Sequence, residues 1–451
     1  MTGPGEILLV ACYELGHQPL SVAWPAAFLA RAGYRPAVMD LSVEPFDTNK
    51  VRGARLVAVA VPMHTALRVG VAATSRVRAA NPAAHVCFYG HYAALNAEHL
   101  LGERHADSVL AGELEDALIA LARRLDDPAR PPRVSLGKLD FPLPARAALP
   151  ALKKYAHLDR EGASHLVGYV EASRGCKHGC RHCPIPPVYG RRFFVVPRDI
   201  VLADVRQQVA AGAAHITFGD PDFLNGPRHA LAVARALHAE FPALTFDFTA
   251  KIEHLLAQRE HLAELAALGA LFVVSAAESL DDAVLAILDK GHTRADIETA
   301  LGLTRAAGLS LRPTWVAFTP WTTLDAYRAW LDFIAREDLV DATDPVQYAL
   351  RLLVPPGSWL LEHAALRPHL GRFVADAFHH EWVHPDPRME TLQSDVAAAV
   401  RAAADRREDA AVTFEHVRAL AAGAAGVPVP PPLALAAGRR QPPRLSEPWF
   451  C

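Results

Sequence analysis

The chain has 451 residues, of which 51% are hydrophobic. It is too long for one ordinary domain and has ample apolar material for two or three buried cores. A formal net charge of −3 and an isoelectric point near 6.7 provide no broad positive field for nucleic-acid phosphates or anionic membranes, so a small-molecule or peptide substrate is favoured. The apolar run 265–277 is too short to cross a bilayer, and the uncharged stretch 419–438 is broken by Pro428, Pro430, Pro431 and Pro432. The start, MTGPGEILLVACYELG, lacks the basic region and cleavage pattern of a secretory leader, so a cytoplasmic location is expected.

Residues 6–125 alternate short apolar strands (EILLVAC, YRPAVMDL, ARLVAVAVP, HVCFYG, DSVLAG) with helical stretches. That alternation predicts a doubly wound parallel sheet of flavodoxin-like type, with ligands at the carboxyl ends of the strands, where Cys12, His17, His64, Gly90 and His91 fall. Proline- and arginine-rich sequence over 131–160 reads as a linker between this domain (1–130) and the next. A second alternating series spans 161–355. Its predicted strands are HLVGYVEAS, HITFGD, LTFDFTA, LFVVSAA, LSLRPTWVAFT and VQYALRLLV, which suggests an open or partial six-unit barrel. Residues 356–425 read as helical, and the proline-rich tail 426–451 as extended. The class is therefore α/β throughout.

Three of the six cysteines lie in RGCKHGCRHCPIPPVYG, as Cys176, Cys180 and Cys183 in a C-x3-C-x2-C spacing. Such clustering is unlike a dispersed disulfide framework and points to metal chemistry in a reducing compartment. One reading is a zinc site completed by His178 or His182. The other is a 4Fe–4S cluster held by three thiolates, with the fourth iron open to a substrate. A noncatalytic iron–sulfur or zinc sensor is the alternative outside catalysis. Cys87, inside a strand, reads as a small core residue, and Asp289, Lys290 and His292 in LDKGHT read as a helix terminus.

A C-x3-C-x2-C motif directly after the first strand of a six-fold strand–helix series resembles the radical S-adenosylmethionine superfamily. His182 stands where the family usually has an aromatic residue. The resemblance implies a 4Fe–4S cluster on Cys176, Cys180 and Cys183, with S-adenosylmethionine chelated to the open iron. It also implies one-electron cleavage of a sulfonium C–S bond and an electron donor such as flavodoxin or ferredoxin. It implies cofactor contacts at strand ends: Gly219, Asp220 and Asp222 in FGDPDF, then Lys251 and Glu253, then Glu278 and Ser279. Arg312 and Arg351 on the fifth and sixth strands are candidates for pairing with a carboxylate.

A flavodoxin-like domain ahead of such a barrel resembles the cobalamin-binding subclass, but CYELGHQP stands in place of the D-x-H-x-x-G fingerprint, leaving His17 as the candidate axial ligand. More narrowly, RGCKHGCRHCPIPPVYG, DVRQQVAAGAAHITFGDPDFLNGP and CYELGHQPL resemble the CUAEP/CCAEP-tail radical SAM proteins, in which a tail cysteine precedes selenocysteine or a second cysteine. Here the chain stops at Cys451. On that resemblance Cys451, with Cys12, would present a soft acceptor such as arsenite for transfer of a 3-amino-3-carboxypropyl group, and a selenocysteine codon is expected after Cys451. The other expectation within catalysis is 5'-deoxyadenosyl-radical chemistry or cobalamin-dependent methyl transfer to a small metabolite or peptide.

Overall fold

In the computed structural model, which describes residues 3–125, 133–433 and 441–446, the N-terminal strands are β1 (Ile7–Ala11), β2 (Ala37–Asp40), β3 (Leu56–Ala60), β4 (His85–Tyr89), β5 (Ser108–Gly112) and the short β6 (Val134–Ser135). They form one parallel sheet in the order β2-β1-β3-β4-β5-β6. Every residue of β1, β3 and β5 is buried, because crossover helices such as Leu20–Arg31 and His64–Ala80 cover both faces.

The segment expected to be a linker is packed. Leu139, Phe141, Leu149 and Leu152 are buried in a core that also holds residues of both sheets, and Tyr155 is buried as well. Arg146 crosses the seam, donating to the Asp204 carboxylate from Nε (2.9 Å) and Nη2 (2.7 Å) and to the Gln18 carbonyl (3.1 Å). The Tyr155 hydroxyl donates to Asp40 at 2.8 Å.

The second sheet begins with an antiparallel pair, β7 (His157–Arg160) and β8 (Ala163–Val170). After it come β9 (Ser173–Gly175) and β10 (Phe193–Val195), a separate two-stranded ribbon. Then β11 (His215–Phe218), β12 (Thr245–Thr249), β13 (Ala270–Glu278) and β14 (Ser310–Trp315) run parallel to β8. Helices fill the crossovers with legible starts. Asp281 caps Asp282–Leu288, and Thr293 forms a capping box with Asp296 at the head of Arg294–Ala306.

The expected sixth strand is reduced to a single parallel bridge, Phe318 to Arg351. Residues Pro345–Ala349 form a 3-10 turn instead. Pro345 has no N–H for a ladder, and the Gln347 side chain takes the Trp315 N–H at 3.0 Å in place of a strand carbonyl.

The C-terminal extension, expected to be wholly helical, opens with an antiparallel hairpin, β15 (Leu370–Val374) and β16 (His379–Trp382), before the helices Pro387–Asp405 and Ala410–Ala425. A short piece of the tail, β17 (Arg444–Leu445), pairs with β7 at the sheet edge. Among the described residues no helix is long and apolar enough to cross a membrane.

Candidate functional site

The cysteine loop leaves β9 at the carboxyl-end mouth of the barrel, because β8 delivers the chain there and the β9–β10 ribbon anchors both flanks. Gly175 makes the exit possible. Its φ is +74°, and an added Cβ would lie 2.5 Å from both the Arg192 carbonyl oxygen and the Tyr189 ring. Cys176, Cys180 and Cys183 are free thiols, the first two buried. The backbone N–H groups of His178 and Ile185 lie towards the Cys176 and Cys183 sulfurs and lower their pKa values against the effect of burial. Burial raises the Cys176 thiol and pushes Cys183 up to about 12. Metal binding releases such protons, and donors aimed at sulfur stabilise the thiolate form. Three unpaired thiols on one loop, two of them with backbone N–H groups at their sulfurs, fit a 4Fe–4S cluster.

Around this loop sits a set of buried charges. Lys290 Nζ lies 3.1 Å from Glu278 Oε1, and it faces the Cys180 and Cys183 thiols. His182 Nε2 is 3.2 Å from the same Glu278 oxygen. Burial opposes ionisation of Glu278, but Lys290 and His182 hold its carboxyl well below the usual range. Lys290 therefore belongs to the loop's surroundings, although Asp289 does end a helix in the left-handed conformation as expected. His182, in the position the family usually gives to an aromatic residue, here acts as a polar link.

The structure brings most of the predicted strand-end residues together. Asp222 is fully buried; one of its oxygens caps the turn at the Leu224 N–H. Its Oδ2 is 2.6 Å from His254 Nδ1 and 3.9 Å from His178 Nε2. His178, Asp222 and His254 thereby offer ligand atoms within 4.8 Å of one another, a set that could hold a metal ion. Lys251 Nζ pairs with Glu253 Oε2 at 2.9 Å, and His178 Nδ1 is 3.5 Å from that same oxygen. Gly219 has to be glycine, because a Cβ would lie 2.2 Å from the Tyr169 ring. Asp220 accepts from the Ser173 hydroxyl (2.5 Å) and the Ala172 N–H (2.9 Å). The Ser279 hydroxyl accepts from the Asp281 N–H at 3.1 Å, a local turn contact.

Four expectations change. Arg312 lies in the first half of β14, pairing with Asp344 at 3.3 Å and donating to the Pro443 carbonyl at 3.4 Å, so it is a tie to the tail and not a carboxylate receptor at the mouth. Arg351 forms a bidentate pair with Glu390 (2.8 and 2.9 Å) and stacks over Trp382 at 3.6 Å, anchoring the C-terminal extension. Cys12 is buried in the apolar cluster of the N-terminal sheet with Val10 and Met39, and burial, with Asp40 nearby, pushes its thiol far up. His17 is buried and stacked on Tyr169 at 4.4 Å, and burial lowers its pKa to about 4. Cys87 is a core residue as expected, and Cys451 lies outside the described residues.

Between the two domains is a cavity of about 350 Å3 that the sequence did not foretell. It is lined by Trp24, Tyr89, Tyr169 and Tyr189, by Glu14, Glu115, Glu171 and Asp220, and by Arg174 and His91. Arg174 Nη1 lies 2.8 Å from Glu115 and 3.8 Å from Glu113, and its Nε is 3.1 Å from Glu171. The Tyr189 hydroxyl donates to Glu113 at 3.0 Å. Another cavity, of about 1830 Å3, lies at the amino ends of β8, β13 and β14, far from the cysteine loop. Chemistry at a barrel mouth selects the smaller one.

Residues 170–319 match the radical SAM superfamily. The chain carries a radical SAM domain. It is 27% identical over 326 residues to a hopanoid C-3 methylase of Methylococcus capsulatus, covering 66% of this chain and 62% of that protein. It thus spans under two thirds of that relative's length. The fold is similar to that of OxsB with aqua-cobalamin and S-adenosylmethionine bound, at a TM-score of 0.64 and 15% identity, covering 87% of this chain and 66% of that one. It is also similar to the methyltransferase TsrM from Kitasatospora setae with tryptophan and a S-adenosylmethionine analogue bound, at 0.61 and 19%, covering 79% and 75%. The radical SAM domain implies a 4Fe–4S cluster and S-adenosylmethionine, which the cysteine loop fits.

The similar structures hold cobalamin, OxsB as aqua-cobalamin and TsrM beside its 4Fe–4S cluster. In this chain the space between the two domains is the cavity of about 350 Å3. The candidate axial residue His17 is turned into the core.

The buried titratable groups give stability a definite pH dependence. Burial raises Glu14, Glu113 and Asp220 to about 7 each. Carboxyls with raised folded values bind more protons folded than unfolded, so their contribution is complete below the unfolded values near 4 and is lost as pH rises through 7. His17, His91 and His292 are lowered by burial to about 4 from 6.5. Their unfolded forms bind more protons between those values, so their contribution is lost as pH falls from 6.5 to 4. Between about pH 4.5 and 6.5 the two sets oppose and largely cancel, so urea denaturation midpoints are expected to change little there and to fall between about pH 6.5 and 7, where only the carboxyls still titrate; a midpoint rising steadily from pH 6 to 8 would contradict these assignments.

Proposed function

We propose that the chain is a radical SAM transferase that moves a methyl group from S-adenosylmethionine to a small-molecule acceptor held between the two domains. The observation that carries the reading is the loop of three free thiols at the mouth of a radical SAM domain. When bound there, the cluster would supply an electron for cleavage of the sulfonium C–S bond of one S-adenosylmethionine. The resulting 5'-deoxyadenosyl radical would take a hydrogen atom from the acceptor, and a second S-adenosylmethionine with a second electron would complete the methyl transfer and leave as S-adenosylhomocysteine, both electrons coming from a small reduced protein such as flavodoxin or ferredoxin. Cys176, Cys180 and Cys183 hold the irons. The Lys290–Glu278 pair keeps a fixed positive charge beside the sulfurs. On this reading Asp222, Lys251 and Glu253, near the ends of β11 and β12, would receive the ammonium and carboxylate of the cofactor. Trp24, Tyr89 and Tyr169 exclude water from the space beyond.

The choice of methyl is supported by the hopanoid methylase relative and by the likeness to TsrM, which was solved with tryptophan as substrate. These relatives favour methyl transfer over the aminocarboxypropyl transfer implied by the tail resemblance. Anaerobic reconstitution, reduction and mass spectrometry of the cofactor fragments test the reading. S-adenosylhomocysteine and 5'-deoxyadenosine together with a methylated acceptor are the expected pattern. 5'-Methylthioadenosine as the main fragment, or no cleavage at all, would overturn it.

A further inference from the structure

The interdomain cavity is richer in carboxyl groups than in cations. Four carboxyls line it, those of Glu14, Glu115, Glu171 and Asp220, against one permanent cation, Arg174. That guanidinium is already shared among Glu115, Glu171 and, behind the wall, Glu113. Glu14 is spoken for by the Leu20 and Ser21 N–H groups at 3.0 and 3.2 Å, and Asp220 by Ser173 and Ala172. Glu115 is different. It is 2% exposed, one oxygen faces Arg174, and its Oε2 has no hydrogen-bond partner. A buried carboxylate oxygen left unpaired costs free energy that a bound donor would recover. The remaining wall is aromatic, with Trp24, Tyr89, Tyr169 and Tyr189 presenting π faces or edges. Aromatic surface combined with excess carboxylate is the chemistry that selects an organic cation.

We infer that this cavity binds the acceptor through a protonated amine or guanidinium, seated against Glu115 Oε2 and the neighbouring Glu171 and walled by Trp24 and the tyrosines. The inference rests on the proposed transferase reading for calling the ligand an acceptor; the charge selectivity of the cavity stands on its own geometry. The volume, about 350 Å3, limits the ligand to a compact amine. The position suits transfer: Gly175, one residue from the first cluster cysteine, and Gly219 and Asp220 at the end of β11 form its barrel-side wall. A cation there also meets Arg174 as a neighbour, so Arg174 has to stay paired with Glu113 and Glu115 for the site to attract positive charge.

The test uses the full, cluster-reconstituted chain and a matched trio of probes by calorimetry: tyramine (cation), 4-ethylphenol (neutral) and 4-hydroxyphenylacetate (anion), with agmatine as a guanidinium probe. At least one of the two cations is expected to bind about tenfold or more tighter than the neutral probe, with the anion weakest. Glu115→Gln should weaken the cation about tenfold and leave the neutral probe unchanged. Glu171→Gln, the second variant, should show the same sign, and cluster absorbance confirms that each has folded. Equal binding of all the probes, preference for the neutral or anionic one, no binding of either cation, or an unchanged cation affinity in a folded Glu115→Gln variant would each overturn the proposal. Cofactor cleavage by the wild-type protein is scored separately: cation selectivity without cleavage sinks the transferase reading alone, and cleavage without selectivity sinks the cavity assignment alone.

Discussion

Replacing any one of Cys176, Cys180 or Cys183 with alanine is expected to abolish cluster assembly and reduce cleavage of S-adenosylmethionine to below detection. Each thiol holds one iron, so two remaining ligands leave an iron without protein anchorage at a mouth open to solvent. The loop itself should survive the change, because its geometry is set by Gly175, by the β9–β10 ribbon and by the Arg181 N–H donating to the Leu288 carbonyl at 3.0 Å, none of which involves a thiol. Loss of function should therefore come with an intact fold. Iron and acid-labile sulfide per chain, read beside circular dichroism and product formation, separate the two. Retained turnover in any of the three variants would overturn the ligand assignment. One zinc per chain and no labile sulfide in the wild type would point to the noncatalytic sensor.

How far this site was readable from the sequence depends on the range of the interaction. Cys176, Cys180 and Cys183 lie within eight residues of one loop, and their spacing carries the chemistry without help from the fold. The strands were readable because runs such as EILLVAC and HITFGD are short, apolar and bounded by turn residues. Which face a residue takes was not readable. β1 and β3 are buried on both sides, so apolar periodicity carries no sign, and Cys12 was assigned to a ligand edge when it belongs to the core. A polar residue on a strand is equally ambiguous: Arg312 and Arg351 look like carboxylate receptors until Asp344 and Glu390 are seen to occupy them. The sixth strand failed because a 3-10 turn uses the same apolar spacing over five residues, and only Pro345 marked the difference. His254, Lys290 and the Glu113, Glu115 and Arg174 group were missed because each finds its partner far along the chain: Arg174 meets Glu115 across 59 residues and His254 meets His178 across 76. Acidic residues at the head of Glu115–Arg123 read locally as a favourable helix start, and that local explanation conceals their pairing across the seam.

The pairing across the seam carries the second large effect. Arg174→Met keeps the side chain's volume and its packing near Trp24 and Phe141, over whose rings the guanidinium now lies at 5.6 and 5.0 Å. It removes the one cation shared by Glu113, Glu115 and Glu171, which are 0%, 3% and 21% exposed at their side chains. Breaking a buried pair from one side is expected to destabilise the fold by about 3–5 kcal/mol, read from urea denaturation at pH 7.5. The loss should shrink as pH falls toward 6, because Glu113 and Glu171, already raised by burial, then take up protons; without the guanidinium their folded values rise further above the unfolded ones, so the stability they contribute is present at low pH and is lost on the alkaline side. Adding Glu113→Gln and Glu115→Gln to the same chain should restore a large part of the deficit, since the charges left without a partner are then gone. A loss under about 1 kcal/mol, or one that does not change between pH 6 and 8, would mean that the carboxyls are already neutral in the wild type and that Arg174 packs the seam without neutralising it. In that case the cavity would carry no excess negative charge to offer a cationic acceptor.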